Sequence, residues 1–235
     1  MKHLDITIDF ESCGLTASSA PMMMALVPWL RYSDEPFLTK DDIEPLVMYV
    51  DLRTCVVDGF DFDPQTLRWW SRQSEAAREA VTSGLAEPVQ EVLIGAVNYL
   101  RSLCERFHLD SICLWSQGEL DIAMLRYMAT KYDINLDDVI HHTQMRDART
   151  VILEVAHARS RHMEKIHASL SANTPHPFPM PEVLQDQILA GSYDVYKMFD
   201  PLPDRYTNNS EAHDALYDAL RTSWNTWQAL RWLNS

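Results

Sequence analysis

Alternation of apolar and polar residues along Leu-Asp-Ile-Thr-Ile-Asp-Phe, positions 4 to 10, has the period of two that a half-buried strand needs, and the turn signal of Gly14 follows it. Two further apolar, β-compatible runs, Met22 to Leu30 and Leu46 to Leu52, predict a meander of three strands before any long helix. Asp63-Pro64 then reads as a helix start, Asp as N-cap and Pro at the first helical position, with Leu67, Trp70, Ala77 and Val81 on one face. Glu87 to Phe107 has the spacing of an amphipathic helix. Ser111 to Trp115 reads as a short apolar strand, Leu120 to Lys131 as a helix, Val139 to His142 as the last strand and Asp147 to Ala158 as another helix. From Arg159 to Asn209 the pattern weakens, and four prolines between Asn173 and Pro181 mark an insertion or flap. A long helix over 211 to 234 closes the chain, with Trp224, Trp227 and Leu230 available for packing.

Strands first, then helices, then alternation predict an α/β fold with a central mixed five-stranded sheet flanked by helices. At 235 residues, 46% of them hydrophobic, residues 1 to 235 are expected to form one domain. The chain shows neither a run of about 18 apolar residues nor a signal-peptide core, so no membrane is expected and the expected location is cytoplasmic. Cys13, Cys55, Cys104 and Cys113 lack the CxxC spacing of a zinc or redox site and read as reduced, buried residues. The formal charge of -14 argues against a broad basic surface for nucleic acid. Contact with a phosphate would have to be local, through divalent cations in a carboxylate cluster.

An acidic chain makes acidic motifs by accident. Asp-x-Glu is expected about once by chance and occurs twice, at Asp9/Glu11 and Asp42/Glu44; His followed five residues later by Asp also occurs twice, at His142/Asp147 and His213/Asp218. Context separates the pairs. Asp9 and Glu11 are two apart at the end of a strand, so both carboxylates face one side of the sheet and can share a cation, whereas Asp42/Glu44 sits in a polar connection. His213 and Asp218 fall at the start of the last helix, where they can flank one site. Asp121 opens the helix after a strand. Hard cations such as Mg²⁺ and Mn²⁺ prefer such oxygens, and a two-metal site needs several.

Asp9-Phe10-Glu11-Ser12-Cys13-Gly14-Leu15 resembles the first motif of the DEDD exonuclease superfamily. Trp115 to Asp121 resembles the second, and His213 to Ala219 the third motif of the histidine-containing, DnaQ-like branch. Asp63 to Gln73 and Arg146 to Thr150 are similar to the DexA-type exonucleases of phages and a related bacterial 3′-5′ exoribonuclease group; the 159–209 segment is outside the resemblance. The resemblance implies a ribonuclease-H-like fold and a 3′-5′ exonuclease that releases nucleoside 5′-monophosphates from the 3′ end of single-stranded DNA or RNA. DNA is set slightly ahead of RNA, with an exoribonuclease or a non-cutting nucleic-acid-binding module as alternatives. It further implies two Mg²⁺ or Mn²⁺ ions held by Asp9, Glu11, Asp121 and Asp218, with His213 as general base. Phe10, Ser12, Cys13, Gly14, Leu15, Trp69 and Gln73 would contact substrate, Gly14 letting the backbone approach the terminal nucleotide and Leu15 wedging beside its base. Related exonucleases often pair, so a homodimer through the Trp-rich last helix is a further expectation.

Overall fold

The computed structural model describes residues 3–37, 43–82, 84–169, 186–188, 190, 194–207 and 213–234, without the side chains of 163–169. Six strands form one mixed sheet: β1 (His3–Ser12), β2 (Pro21–Trp29), β3 (Leu46–Val50), β4 (Ala86–Glu87), β5 (Ser111–Ser116) and β6 (Met145–Asp147), in the order β4-β3-β2-β1-β5-β6. β1 and β2 are antiparallel, as are β2 and β3, while β5 runs parallel to β1 and β6 parallel to β5. The sixth strand, beyond the five expected, is β4: two residues parallel to β3, too short to leave an alternating pattern.

The two faces of β1 carry different chemistry because successive side chains alternate. Leu4, Ile6, Ile8 and Phe10 enter the larger hydrophobic core with Val92, Leu93, Ala96 and Leu100 of α4 (Val89–Phe107) and Met124, Leu125 and Met128 of α5 (Leu120–Lys131). Asp5, Thr7, Asp9 and Glu11 face the other way. There α6 (Ala148–Ser169) and the final helix, Ala215–Leu233, cover the sheet through a second cluster containing Trp29, Trp115, Ile152, Val155, Trp224 and Trp227. Burial on both faces is why β2 reads Pro-Met-Met-Met-Ala-Leu-Val-Pro-Trp without polar alternation.

Polar groups of β1 beneath that cover are hydrogen-bonded. Arg31 Nε donates to Asp5 Oδ2 at 2.8 Å and its Nη2 to Oδ1, and Trp115 Nε1 donates to the same carboxylate at 2.7 Å. Trp29 Nε1 donates to Thr7 Oγ1 at 3.0 Å, with the Ser223 hydroxyl 2.7 Å away. The indoles of the last helix are likewise used within the chain: Trp224 Nε1 donates to Asp200 O and Trp227 Nε1 to Ser33 O, and both rings are 8% exposed. Trp224 and Trp227, two of the tryptophans on the helix through which a homodimer was expected, are therefore core residues.

Asp63 caps α2 (Pro64–Trp70) by accepting from Gln65 and Thr66, as the sequence suggests, but the helix ends at Trp70. A second one, α3 (Glu75–Ala80), restarts from the Ser74 hydroxyl, so the expected single face is split in two. The short helix α1 (Leu52–Val57) is capped by Asp51 at the end of β3. Val139 to His142 is not a strand. Asn135 accepts from Asp137 N and His141 forms a capping box with Gln144, fixing two 3₁₀ turns around buried Ile140; the strand is β6, whose Arg146 and Asp147 are exposed. Part of the expected 159–209 flap, including residues 170–185, lies outside the described residues; its described parts include the end of α6 and residues 194–207. Among the basic residues early in this segment, Arg159 donates to Met198 O, Arg161 and His162 are exposed, and the side chains of Lys165 and His167 are outside the described set. Among the described residues no helix is long and apolar enough to cross a membrane.

Removing Asp5 strands a guanidinium and an indole N–H under the cover helices. Asp5→Ala is expected to destabilise the protein by about 3 kcal/mol, and Asp5→Asn by less, in equilibrium urea unfolding. A change below about 1 kcal/mol for Asp5→Ala would show that the network carries no stability.

Candidate active site

Cover by the final helix stops short of the end of β1, and five side chains meet in the corner it leaves. Asp9 and Glu11 come from the last third of β1, two residues apart and on the same face. Asp121 is buried in the first turn of α5, where its Oδ1 accepts the backbone N–H of Phe10 at 3.0 Å, tying the helix start to the strand between the two acids. Asp218 is in the first turn of the final helix. His213 lies just before that helix, because Asp214, whose side chain accepts from Leu216 N at 2.9 Å, is its N-cap; the helix starts at Ala215 rather than 211.

His213 has φ +66°, in the left-handed region that non-glycine residues seldom occupy. Two contacts hold it there. Its backbone N–H donates to Asp218 Oδ2 at 3.2 Å, and its ring meets Trp69 edge to face with centroids 4.8 Å apart and Trp70 at 6.2 Å. One ligand atom from each of Glu11, His213 and Asp218 falls within 4.8 Å of the others.

The electrostatics are those of a crowded anion cluster. Burial, then Asp121, Glu11 and Asp218, push the Asp9 carboxyl well above its usual range, with Arg221 acting against them. Glu11 is raised to about 8 by burial and then by Asp218, Asp121 and Asp214. Asp121 is raised to about 6, chiefly by burial, despite the Phe10 hydrogen bond and Arg149. Asp218 Oδ1 is buried and accepts no hydrogen bond; Arg221 Nη2 stands 3.2 Å from it. Neighbouring carboxylates that raise one another, with a buried oxygen unsatisfied by any hydrogen bond, fit hard divalent cations better than any neutral occupant.

A cleft of about 480 Å³ opens beside the acids, lined in part by Phe10, Glu11, Ser12, Leu15, Trp69 and Trp70. Leu15 is 78% exposed, so it is not core packing, and Trp69 is 42% exposed, while Trp70 is core and donates to Ser12 O at 3.0 Å. Phe10 is itself 7% exposed, so it reaches the cleft only at an edge. Two expected contacts are elsewhere. Cys13 is fully buried in the larger core, and Gln73 does not line the cleft; its Nε2 donates to Trp69 O at 3.2 Å. Gly14 is required by its own loop, since a Cβ there would come 2.5 Å from Ser19 Oγ. Asp63, Gln65, Thr66 and Leu120 also line the cleft and were missed; the Asp-Pro helix start that places the first three was the available signal.

The described members of the duplicate motifs make other contacts. Glu44 is exposed and uses its carbonyl to accept from Tyr99, Asp42 is outside the described residues, and Asp147 caps α6, accepting from Arg149 N and Gly118 N.

Among solved structures, exonuclease I is similar, with TM-score 0.53 and 12% identity over 99% of this chain and 43% of that one. This chain thus spans less than half of exonuclease I, and the likeness shows a ribonuclease-H-like fold. The zinc-bound form of Escherichia coli exonuclease I with single-stranded DNA gives TM-score 0.48 at 13% identity, over 95% of this chain and 39% of that one. No curated protein matches the chain significantly. The model of the family described as the 3′-5′ exoribonuclease Rv2179c-like domain matches residues 5–176, nearly three quarters of the sequence. By that match the chain belongs to the Rv2179c-like family of 3′-5′ exoribonuclease domains.

Proposed function

We propose that this 3′-5′ exonuclease domain hydrolyses single-stranded nucleic acid one nucleotide at a time from the 3′ end, releasing nucleoside 5′-monophosphates. The observation that carries the reading is the convergence of Asp9, Glu11, Asp121, His213 and Asp218, from three separate stretches of chain, on one buried corner beside an aromatic cleft. RNA is the first substrate to test, because the family is described as exoribonucleases, and single-stranded DNA is the comparison.

Asp9, Glu11, Asp121 and Asp218 would hold two divalent cations, Mg²⁺ or Mn²⁺, which when bound supply an activated water and charge neutralisation at the phosphate. The chain's own residues do the rest. His213, close to Glu11 and Asp218, takes the proton of the attacking water as its oxygen bonds to phosphorus and the bond to the 3′ oxygen of the penultimate nucleotide breaks. Trp69 and Leu15 give the terminal base an apolar surface, and a base stacked on an aromatic face gains about 1 to 3 kcal/mol. The Asp121 to Phe10 hydrogen bond fixes the spacing of the acids before substrate arrives.

Digestion of 5′-labelled single-stranded RNA and DNA of one sequence, with Mg²⁺, Mn²⁺ or EDTA, tests this. A ladder shortening from the 3′ end is expected with metal and none with EDTA. His213→Ala should be slower by about 10² to 10⁴ with little change in binding. No cleavage of either polymer with any metal would point to a binding module instead.

A second expectation concerns pH without metal. Glu11 carries a raised carboxyl, about 8 against 4.5 when unfolded, so between those values the folded state holds a proton that the unfolded chain has released. That contribution is favourable at the low end and is lost as pH rises towards 8. The melting temperature in EDTA should therefore fall across this window, less steeply in Glu11→Gln, and Mn²⁺ should restore it most at the alkaline end. Equal slopes for the two proteins would contradict the assignment.

A further inference from the structure

Arg221 brings a positive charge to the acid corner that none of the roles above uses. Arg221 lies one turn after Asp218 on the final helix, with Nη2 3.2 Å from the buried Asp218 Oδ1. It also opposes the upward shift of Asp9, so its charge is felt by a second acid. Its guanidinium lies over two aromatic rings, 5.4 Å from the centroid of Tyr196 and 6.0 Å from that of Tyr217. Tyr196 is fixed in turn: Gln117 Nε2 donates to its hydroxyl, and Thr222 Oγ1 donates to Gln117 Oε1 at 3.2 Å. The arm is thus guided on a rigid aromatic wall, yet 37% of its side chain is exposed, so it is free to change its oxygen partner.

We propose that Arg221 is a resident counter-cation of the metal-free site, which yields Asp218 to a divalent ion and then grips a phosphate of the bound strand. Three physical points carry this. Asp218 Oδ1 accepts no hydrogen bond, so its contact with Arg221 is ionic and exchangeable, and a divalent ion gains more from a carboxylate cluster than a guanidinium does. A phosphate drawn to these acids through cations must sit within a few ångströms of Asp218, and so within reach of an arginine already there. Guanidinium matches phosphate oxygens with paired N–H groups, and a chain of net charge -14 needs such a local grip. Holding Asp218 while empty also keeps the anion cluster from repelling itself apart.

This inference rests on the metal-site reading under Proposed function, and the test separates the two. Mn²⁺ binding to the full chain is measured by isothermal titration calorimetry, without substrate, for wild type, Arg221→Gln and Arg221→Lys. Removing a competing positive charge should tighten Mn²⁺ binding about tenfold in Arg221→Gln, with Arg221→Lys near wild type. Steady-state digestion should then show KM for a single-stranded oligonucleotide raised about tenfold or more in Arg221→Gln, with kcat changed by less than about threefold. That split marks a binding contact made equally before and during reaction. Arg221→Lys should recover part of the KM loss, because it keeps the charge without the paired donors. If wild type binds no Mn²⁺, the metal-site reading itself fails. If wild type and Arg221→Gln bind Mn²⁺ equally, or if kcat falls while KM stays, the metal site stands and the role of Arg221 is overturned.

Discussion

Mutual repulsion among buried carboxylates is the constraint around which this fold is arranged. Asp9, Glu11, Asp121 and Asp218 lie at one end of the sheet, and burial together with their neighbours lifts the first three above the usual carboxylate range. No folded protein gathers such a group without something to hold it, and here the holding is distributed. A backbone N–H of β1 serves Asp121, a backbone N–H of the final helix's leading turn serves Asp218, and Arg221 supplies positive charge. The corner is stable enough to exist and still short of positive charge, which is what the proposed cation site requires.

β1 makes this possible because its two faces do opposite work. Leu4, Ile6 and Ile8 anchor it in the main core, so the strand cannot slip by one residue without exposing all three and burying the acids in oil. On the other face polarity is graded along the strand: Asp5 is neutralised by Arg31, Thr7 is satisfied by Trp29 and Ser223, and Asp9 and Glu11 towards the strand's end are half-buried acids. The buried Asp5 network thus lies under the cover helices, and the half-buried acids follow it along the same face of β1.

What the sequence reveals follows from the same contrast. α5 and α4 were legible because each buries a stripe at helical spacing, and Asp9 and Glu11 because a period of two puts them on one face. β6 was not legible, since three residues with two exposed carry no pattern, and the apolar pair Val139 and Ile140 imitated a strand while packing as a turn. His213 and Asp218 were found by motif, but the left-handed turn that brings them together depends on Asp214 capping the helix one residue later. Arg221 and Tyr196 had no sequence signal: one looks like an ordinary helix arginine, and the other falls in a segment without periodicity. Contacts between distant segments are written in no local pattern.

Trp69 joins the two halves of the site. Its ring lines the cleft and also meets the His213 ring edge to face, so the proposed base surface and the proposed proton acceptor share one indole. Trp70, directly behind, is locked by its hydrogen bond to Ser12 O and by the core, which leaves Trp69 little freedom to move without moving His213. His213 in turn sits at a backbone angle that costs energy for any residue with a Cβ, and it stays there only while its N–H holds Asp218 and its ring holds the indoles. A base stacked against Trp69 would therefore press on the same ring pair that fixes the histidine. On the proposed roles, loss of Trp69 would act at both places at once, on the base platform and on the aim of the proton acceptor, which an ordinary surface aromatic could not do.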